Sequence, residues 1–454
     1  MSAQPPAAAL SLSDQLARHS AAQRFEALPA EVVQAVCLSV LDTLAVAWAG
    51  LDASGVPAVR ALAQEQGGRA DSRLWGSATR LPASETAFAN GVAAAALDFD
   101  ALHTGGTVHA DIVALPALLA VAERRQASGR DFVTAYAIAQ DLIARLGLAA
   151  PGHSGWFYTS VHGVFGAAAG AARLLGLPAE GIRHAIGLAL PQAGGTQQPM
   201  LEKSQTKRLQ SAFAARAAVH AALLAQRGLQ GPVQALDGRF GAFALYEAAD
   251  AAQVLDGLGE RWENTGVGFK KYPNCGCAHA PLEAALQLVQ QHRIAPDQVQ
   301  AVRVVLTPYA HRLVGAPYAP DAQPEVSAQF SVQYAVAAAL LRGRFTLDDI
   351  APAQALAPEA LALAQRVVVE IDATQSGRMG PATVEIATAT GRHSATVQHM
   401  PGDAAQPLTE QEVIAKARDA FARGPQPLSD DAAERLIGRV LEIDALAQIG
   451  TLWD

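Results

Sequence analysis

From residue 10 to about 265 the apolar positions recur at helical spacing in Ala- and Leu-rich windows of ten to twenty residues, punctuated by Gly or Pro. This pattern predicts helices over Val32–Trp48, Glu85–Leu97, Ile112–Gln126, Phe132–Leu146, Val164–Leu174, Pro178–Ala189, Lys207–Gln226 and Phe240–Ala249. Two of the breaks, Leu28-Pro29-Ala30-Glu31 and Leu177-Pro178-Ala179-Glu180, place Pro in a first helical turn with an acid after it. So many apolar helices with short connections imply a bundle with a deeply buried interior. Near residue 266 the pattern changes. Val302–Leu306 and Arg366–Ile371 read as β-branched strands, and Ala382–Ala389 with Ser394–Val397 reads as a hairpin around Thr390-Gly391. Helices are expected between them at Ala280–Gln291 and Val326–Leu341, and again after Pro401-Gly402 at Leu408–Arg423 and Ala432–Ile443.

The expected fold is therefore mainly α, with a large all-helical domain built from both chain ends (residues 1–266 and 403–454) and a smaller α+β domain (267–402) inserted between them. Half of the 454 residues are hydrophobic and 17% are charged, enough apolar material for a large core. The longest apolar stretch, Val32–Gly50, carries Ser39 and Asp42 and reads as a buried helix rather than a membrane span. Residues 1–20 lack the basic-then-apolar layout of a signal peptide, so a soluble, cytoplasmic protein with no membrane partner is expected. The net charge of −8 argues against a nucleic-acid partner. Three cysteines, Cys37, Cys275 and Cys277, are too few for a disulfide framework, and their spacing matches no zinc or iron–sulfur signature.

With an acidic chain, an anionic ligand needs locally placed cations. Of 34 Lys and Arg residues only five are Lys, and four of these fall in two pairs, Lys203/Lys207 and Lys270/Lys271. Lysine is a compact charge able to exchange its proton when buried. Lys207 opens a helix, where free backbone amides favour anions, and Lys270 lies at the boundary of the two regions, a usual place for a pocket. A second constellation runs from Asn90 through Asp98-Phe99-Asp100 to His103, the loop Thr104-Gly105-Gly106-Thr107, and His109. No HxH or HxxxH pair supports a metal there; instead Asp98 is placed to orient His109 as a general base, with the Gly-rich loop approaching a ligand. Gly155–Gly166 presents Tyr158, Thr159 and His162 at a helix start, suited either to an anion or to simple capping, and His279 opens a helix from which its imidazole reaches a cleft or caps.

Together, Leu41–Ala47, Asn90–Asp100, Gly163–Ala168, Thr206-Lys207 with Ala214-Ala215-Arg216, Lys270–His279, Gln329–Ala335, and Pro401-Gly402-Asp403 with Pro407-Leu408-Thr409 resemble the MmgE/PrpD family in consistent order. That family includes dehydratases of 2-methylcitrate, decarboxylases of cis-aconitate and epimerases of iminodisuccinate. The resemblance implies a lid-like inserted domain, a homodimer, no cofactor or metal, and a small di- or tricarboxylate substrate. It places catalysis at Asp98, His109, Lys207, Lys270 and His279, with Tyr158, Thr159, His162 and Lys271 as substrate-binding candidates. Where the family commonly reads Gly-Trp/Phe-His-Pro-Thr, this chain reads Gly155-Trp156-Phe157-Tyr158-Thr159. Phe157 transfers no proton, which leaves Tyr158, His153 or His162 to replace the missing histidine. The Thr often found after the paired acids is also absent, with Ala101-Leu102 in its place. The resemblance implies carbon-acid chemistry next to a carboxylate: a lyase by dehydration or decarboxylation, an epimerase as the alternative, or a non-catalytic carboxylate-binding protein, which Phe157 keeps open.

Overall fold

The computed structural model describes residues 10–152, 154–320 and 322–454. His153 lies outside these residues. Fifty-seven percent of the described residues are helical, so the fold is mainly α. The first half runs through α1 (Leu12–Ala22), α2 (Ala30–Ala49), α3 (Val56–Gln66), α4 (Ala83–Ala96), α5 (Asp111–Arg125), α6 (Gly129–Leu148), α7 (Tyr158–Leu174), α8 (Ala179–Ala189), the single turn α9 (Gln198–Leu201) and α10 (Thr206–Gln226). Every residue of α4 except Glu85 is buried. A helix enclosed on all sides must be built of small side chains, and α4 is mostly Ala and Gly; at Gly91 an added Cβ would stand 3.1 Å from the Ala212 Cα of α10. Helices α4, α5, α6, α7 and α10 pack on one another as the centre of the bundle.

One helix, Ala30–Ala49, is long and apolar enough to cross a membrane, but 72% of its apolar window is buried inside the structure. It packs on α4 and on two helices from the other end of the chain, Glu410–Phe421 and Asp430–Leu441. The chain's C-terminal segment also closes on α6: the Gly129 amide donates to Leu446 O at 2.8 Å.

The intervening region holds a four-stranded sheet. Val299–Leu306 lies between Val367–Ile371, to which it is parallel, and Ala382–Thr388, to which it is antiparallel; Gly391–Val397 completes the edge. Val302, Val304 and Leu306 point into the core, while Arg303 faces outward between Glu370 (2.8 Å) and Glu385 (3.2 Å), the alternation expected of a sheet covered on one face. The covering helix is His279–His292.

Three sequence expectations need correction. The helix expected over Phe240–Ala249 is reduced to Ala242–Leu245, because Gly241 starts it late and Asp250 caps a separate turn by accepting from the Ala252 amide at 2.9 Å. The helix expected over Val326–Leu341 is two, Pro324–Gln329 and Val332–Arg342, since the Ser331 hydroxyl caps the second by accepting from the Tyr334 amide at 3.2 Å. Helix α7 begins six residues before Val164, so Tyr158, Thr159 and His162 are helical.

Candidate active site

The site is assembled by three local events. Helix α4 ends at Ala96, and Asp98 follows with a left-handed backbone (φ 50°). That conformation costs a non-glycine residue about 1–2 kcal/mol, and it turns the chain at the point where two acids must diverge. Leu102-His103 then pairs antiparallel with Val267-Gly268, Leu102 opposite Gly268, which carries Lys270 to the end of α4. Helix α10, packed along α4, brings Lys207 in its first turn to the same place.

The result is a buried cluster of charge. The Lys207 ammonium donates to Asp98 Oδ1. The Lys270 ammonium donates to the Asp98 carbonyl at 2.8 Å and lies 3.3 Å from Asp98 Oδ2. Burial opposes ionisation of the Asp98 carboxyl, but Lys207 and then Lys270 outweigh it and hold the group far below the carboxylate range. Burial likewise disfavours the Lys207 charge, and Asp98 overrules it, raising the ammonium's pKa. Lys207 thus stays a cation.

Asp100, two residues on, faces the other way. Its Oδ2 is 2.6 Å from His109 Nδ1, and the His109 amide donates to the Thr159 hydroxyl at 3.0 Å. Burial pushes the Asp100 carboxyl up, but His109 and Lys270 bring it down to about 2. For His109 burial is the largest influence and lowers the pKa; Asp100 opposes it without reversing it. A neutral imidazole whose Nδ1 is held by a carboxylate presents Nε2 as a base. The expectation that Asp98 orients His109 is therefore corrected: Asp100 does so, because Asp98 is engaged by two lysines.

These groups open into one pocket of about 520 Å³, counting its mouth, to which Asp98, His109, Lys207 and Lys270 contribute. Of the remaining candidates only Tyr158 lines it, its hydroxyl donating to Gly152 O at 2.6 Å. Thr159 is not in the wall but holds the His109 backbone. His162 packs on the Tyr158 ring at 4.8 Å and does not line the pocket. His279 does not line it either: it is fully buried beside Tyr272, 3.3 Å from Asn274 O, and burial followed by Lys270 lowers its pKa to about 3. Lys271 points away, its half-exposed ammonium 2.9 Å from Glu283. The Gly-rich loop does not frame the ligand space as expected. Gly106 is held against α6, where a Cβ would meet Ala144 O at 3.0 Å, and its amide donates to His103 Nδ1 at 3.0 Å; of the loop, Thr107 alone reaches the pocket.

Sequence reasoning missed Asp100 as the imidazole's partner, and missed Lys416, the lysine outside the two pairs. Lys416 is buried 2.7 Å from Asp42 and donates to Phe99 O at 2.7 Å, bracing the segment between the two active-site acids. It also missed an apolar wall formed by Met200, Leu313, Phe330 and Met379 with Phe157. The Phe157 segment is fixed by pairing with the chain before α9, through Phe157 N to Gly195 O (3.0 Å) and Gln197 N to Gly155 O (2.7 Å). Among the described residues no three His, Cys, Asp or Glu side chains converge as ligands of one metal ion.

The MmgE/PrpD N-terminal domain profile matches residues 14–254, and the MmgE/PrpD C-terminal domain profile matches residues 272–442. The chain belongs to the MmgE/PrpD family. Curated relatives include a cis-aconitate decarboxylase-like protein of Aspergillus oryzae, 27% identical over 94% of this chain and 93% of that protein. The cis-aconitate decarboxylase of Homo sapiens is 29% identical over 93% and 89%, and that of Mus musculus is 31% identical over 73% and 70%.

Proposed function

We propose that this protein is a lyase that acts without a cofactor, by proton transfer at the carbon next to a carboxylate of a small acid. The observation that carries the proposal is the pairing, in one pocket, of a neutral His109 held by Asp100 with two ammoniums that share one carboxylate. Two cations on one buried anion leave a positive excess for a substrate carboxylate. When a proton leaves the adjacent carbon, charge grows on that carboxylate, and donors already in place stabilise it by about 3–4 kcal/mol each. His109 Nε2 is the base that takes the carbon-bound proton; in decarboxylation it first takes a proton from solvent and then gives it to the carbon that CO2 has left. The cis-aconitate decarboxylases among the relatives support decarboxylation as the leading reaction; dehydration is the variant in which His109 takes the carbon-bound proton and the β-hydroxyl leaves as water with a proton from a lysine ammonium.

The test is proton NMR in D2O with the purified protein and a panel of small carboxylic acids, with His109→Asn as control. Deuterium at the carbon next to a carboxylate, or a product short of CO2 or water, is expected with the wild type and is lost in the variant. Full turnover by His109→Asn would refute the assignment.

A further inference from the structure

The charges around the pocket narrow the class of acid, given the proton-transfer reading on which this inference rests. Lys207 and Lys270 together face Asp98 and leave one unit of positive charge. His109 and Asp100 form a pair that is at best neutral, and Lys416 is matched by Asp42. Among the described residues none of the other wall side chains is cationic. Outside the wall, Arg378 directs its guanidinium to the carbonyls of Gly105 (3.2 Å) and Pro151 (3.3 Å) and to Thr107 Oγ1. Glu247, beside Tyr158, sets a negative charge on the same side.

A carboxylate buried without a cation or a set of donors loses several kcal/mol of hydration that nothing returns. One carboxylate is matched here by the two lysines. Among the described residues a second finds a cation only at the rim, where Arg378 lies near Thr107 and Met379, which are partly exposed. A third finds no further cation among the described residues, and on the side of Phe157, Met200, Leu313 and Phe330 it meets only buried apolar side chains. At Phe157 the family resemblance leads one to expect a histidine, so the apolar wall is extended where a proton donor would otherwise stand.

We infer that the substrate is an alkyl-substituted acid with one carboxylate at Lys207 and Lys270, at most one more at the rim, and an apolar group against Phe157, Met200, Leu313 and Phe330, and that Phe157 rejects tricarboxylates. The class consists of mono- and dicarboxylic acids with a short hydrocarbon branch.

Tricarballylate and ethylsuccinate test this directly, since they differ chiefly in a carboxylate replacing a methyl group at one branch end. Binding is measured by calorimetry and deuterium entry by NMR in D2O, for the wild type, Phe157→His and Met379→Lys. Wild type is expected to bind ethylsuccinate at least tenfold more tightly than tricarballylate and to exchange only the former. Either variant, Phe157→His by placing a polar donor in the apolar wall and Met379→Lys by adding a cation at the rim, narrows or reverses the ratio. Preferential binding and exchange of tricarballylate by the wild type overturns the inference and leaves proton transfer standing. Binding of ethylsuccinate with no exchange of any acid in the panel instead overturns the proton-transfer reading and keeps the pocket's preference. Binding of neither acid overturns the inference.

Discussion

Replacing Asp100 with Asn separates the two active-site acids. The Asp100 side chain is fully buried, and its Oδ2 lies 2.6 Å from Nδ1 of a His109 side chain that is 13% exposed. A hydrogen bond to an ionised group contributes about 1.5–3 kcal/mol, against about 0.5–1.5 for a neutral one. Removing the charge while keeping the shape therefore costs about 1–2 kcal/mol, or about 5- to 30-fold in rate at 1.36 kcal/mol per decade. An Asn that turns its amino group toward Nδ1 would place the imidazole proton on Nε2 and increase the loss, so this range is a floor. Asp100 raises the His109 pKa, and without it the imidazole titrates at still lower pH. The assay has two parts: deuterium entry into a turned-over acid as a function of pH, and titration of the His109 resonance in protein labelled with carbon-13 histidine, assigned by loss of the signal in His109→Asn. The Asp100→Asn protein is expected to be at least fivefold slower, with its His109 titration moved toward acid. Asp98→Asn is expected to leave the His109 orientation in place, since Asp100 and not Asp98 holds Nδ1. Full rate with an unmoved titration in Asp100→Asn would refute the assignment of Asp100 as the positioning acid.

Because His109 takes a carbon-bound proton only when neutral and burial lowers its pKa from 6.5, the rate of deuterium exchange is expected to fall with acid only below pH 6.5 and to be level just above it; a limb centred above pH 7 would contradict this. Lys270→Met is expected to lower exchange by about 100-fold or more, the loss typical of a donor aimed at developing charge, whereas Lys271→Ala, at an exposed side chain paired with Glu283, stays within about twofold in the same assay. At Gly129 an added Cβ would stand 1.7 Å from Ile443 O, so Gly129→Ala is expected to destabilise by about 1–3 kcal/mol, read as a lower urea midpoint with the slope unchanged.

The elements that local pattern specifies were legible in the chain. Helices α2, α4, α5, α6 and α10 and the individual strands follow from apolar periodicity and from the Pro, Ser and Gly residues that start or stop them, and these depend on near neighbours alone; the order of the strands in the sheet does not. Where the pattern misled, a single capping side chain decided the outcome, as with Ser331 and Asp250. The rarity and pairing of lysine pointed to Lys207 and Lys270 because a chain that otherwise uses Arg has a reason to place a different cation. The resemblance singled out one lysine of each pair, but the physical reason lies in the fold: Lys270 and Lys271 are adjacent, and the pairing of Leu102-His103 with Val267-Gly268 sends Lys270 to Asp98 and leaves Lys271 in solvent. The same holds for the acids. Asp98 and Asp100 are two residues apart, and the left-handed turn at Asp98, with the packing of α10 on α4, assigns one to the lysines and the other to His109. His279 and Lys416 exchanged importance for the same reason, one lying outside the pocket wall and the other brought from the far end of the chain to Asp42. Residue types are written along the chain, but partners separated by a hundred or more residues are chosen by packing, because a buried charge is tolerated only where the whole fold brings its counter-charge.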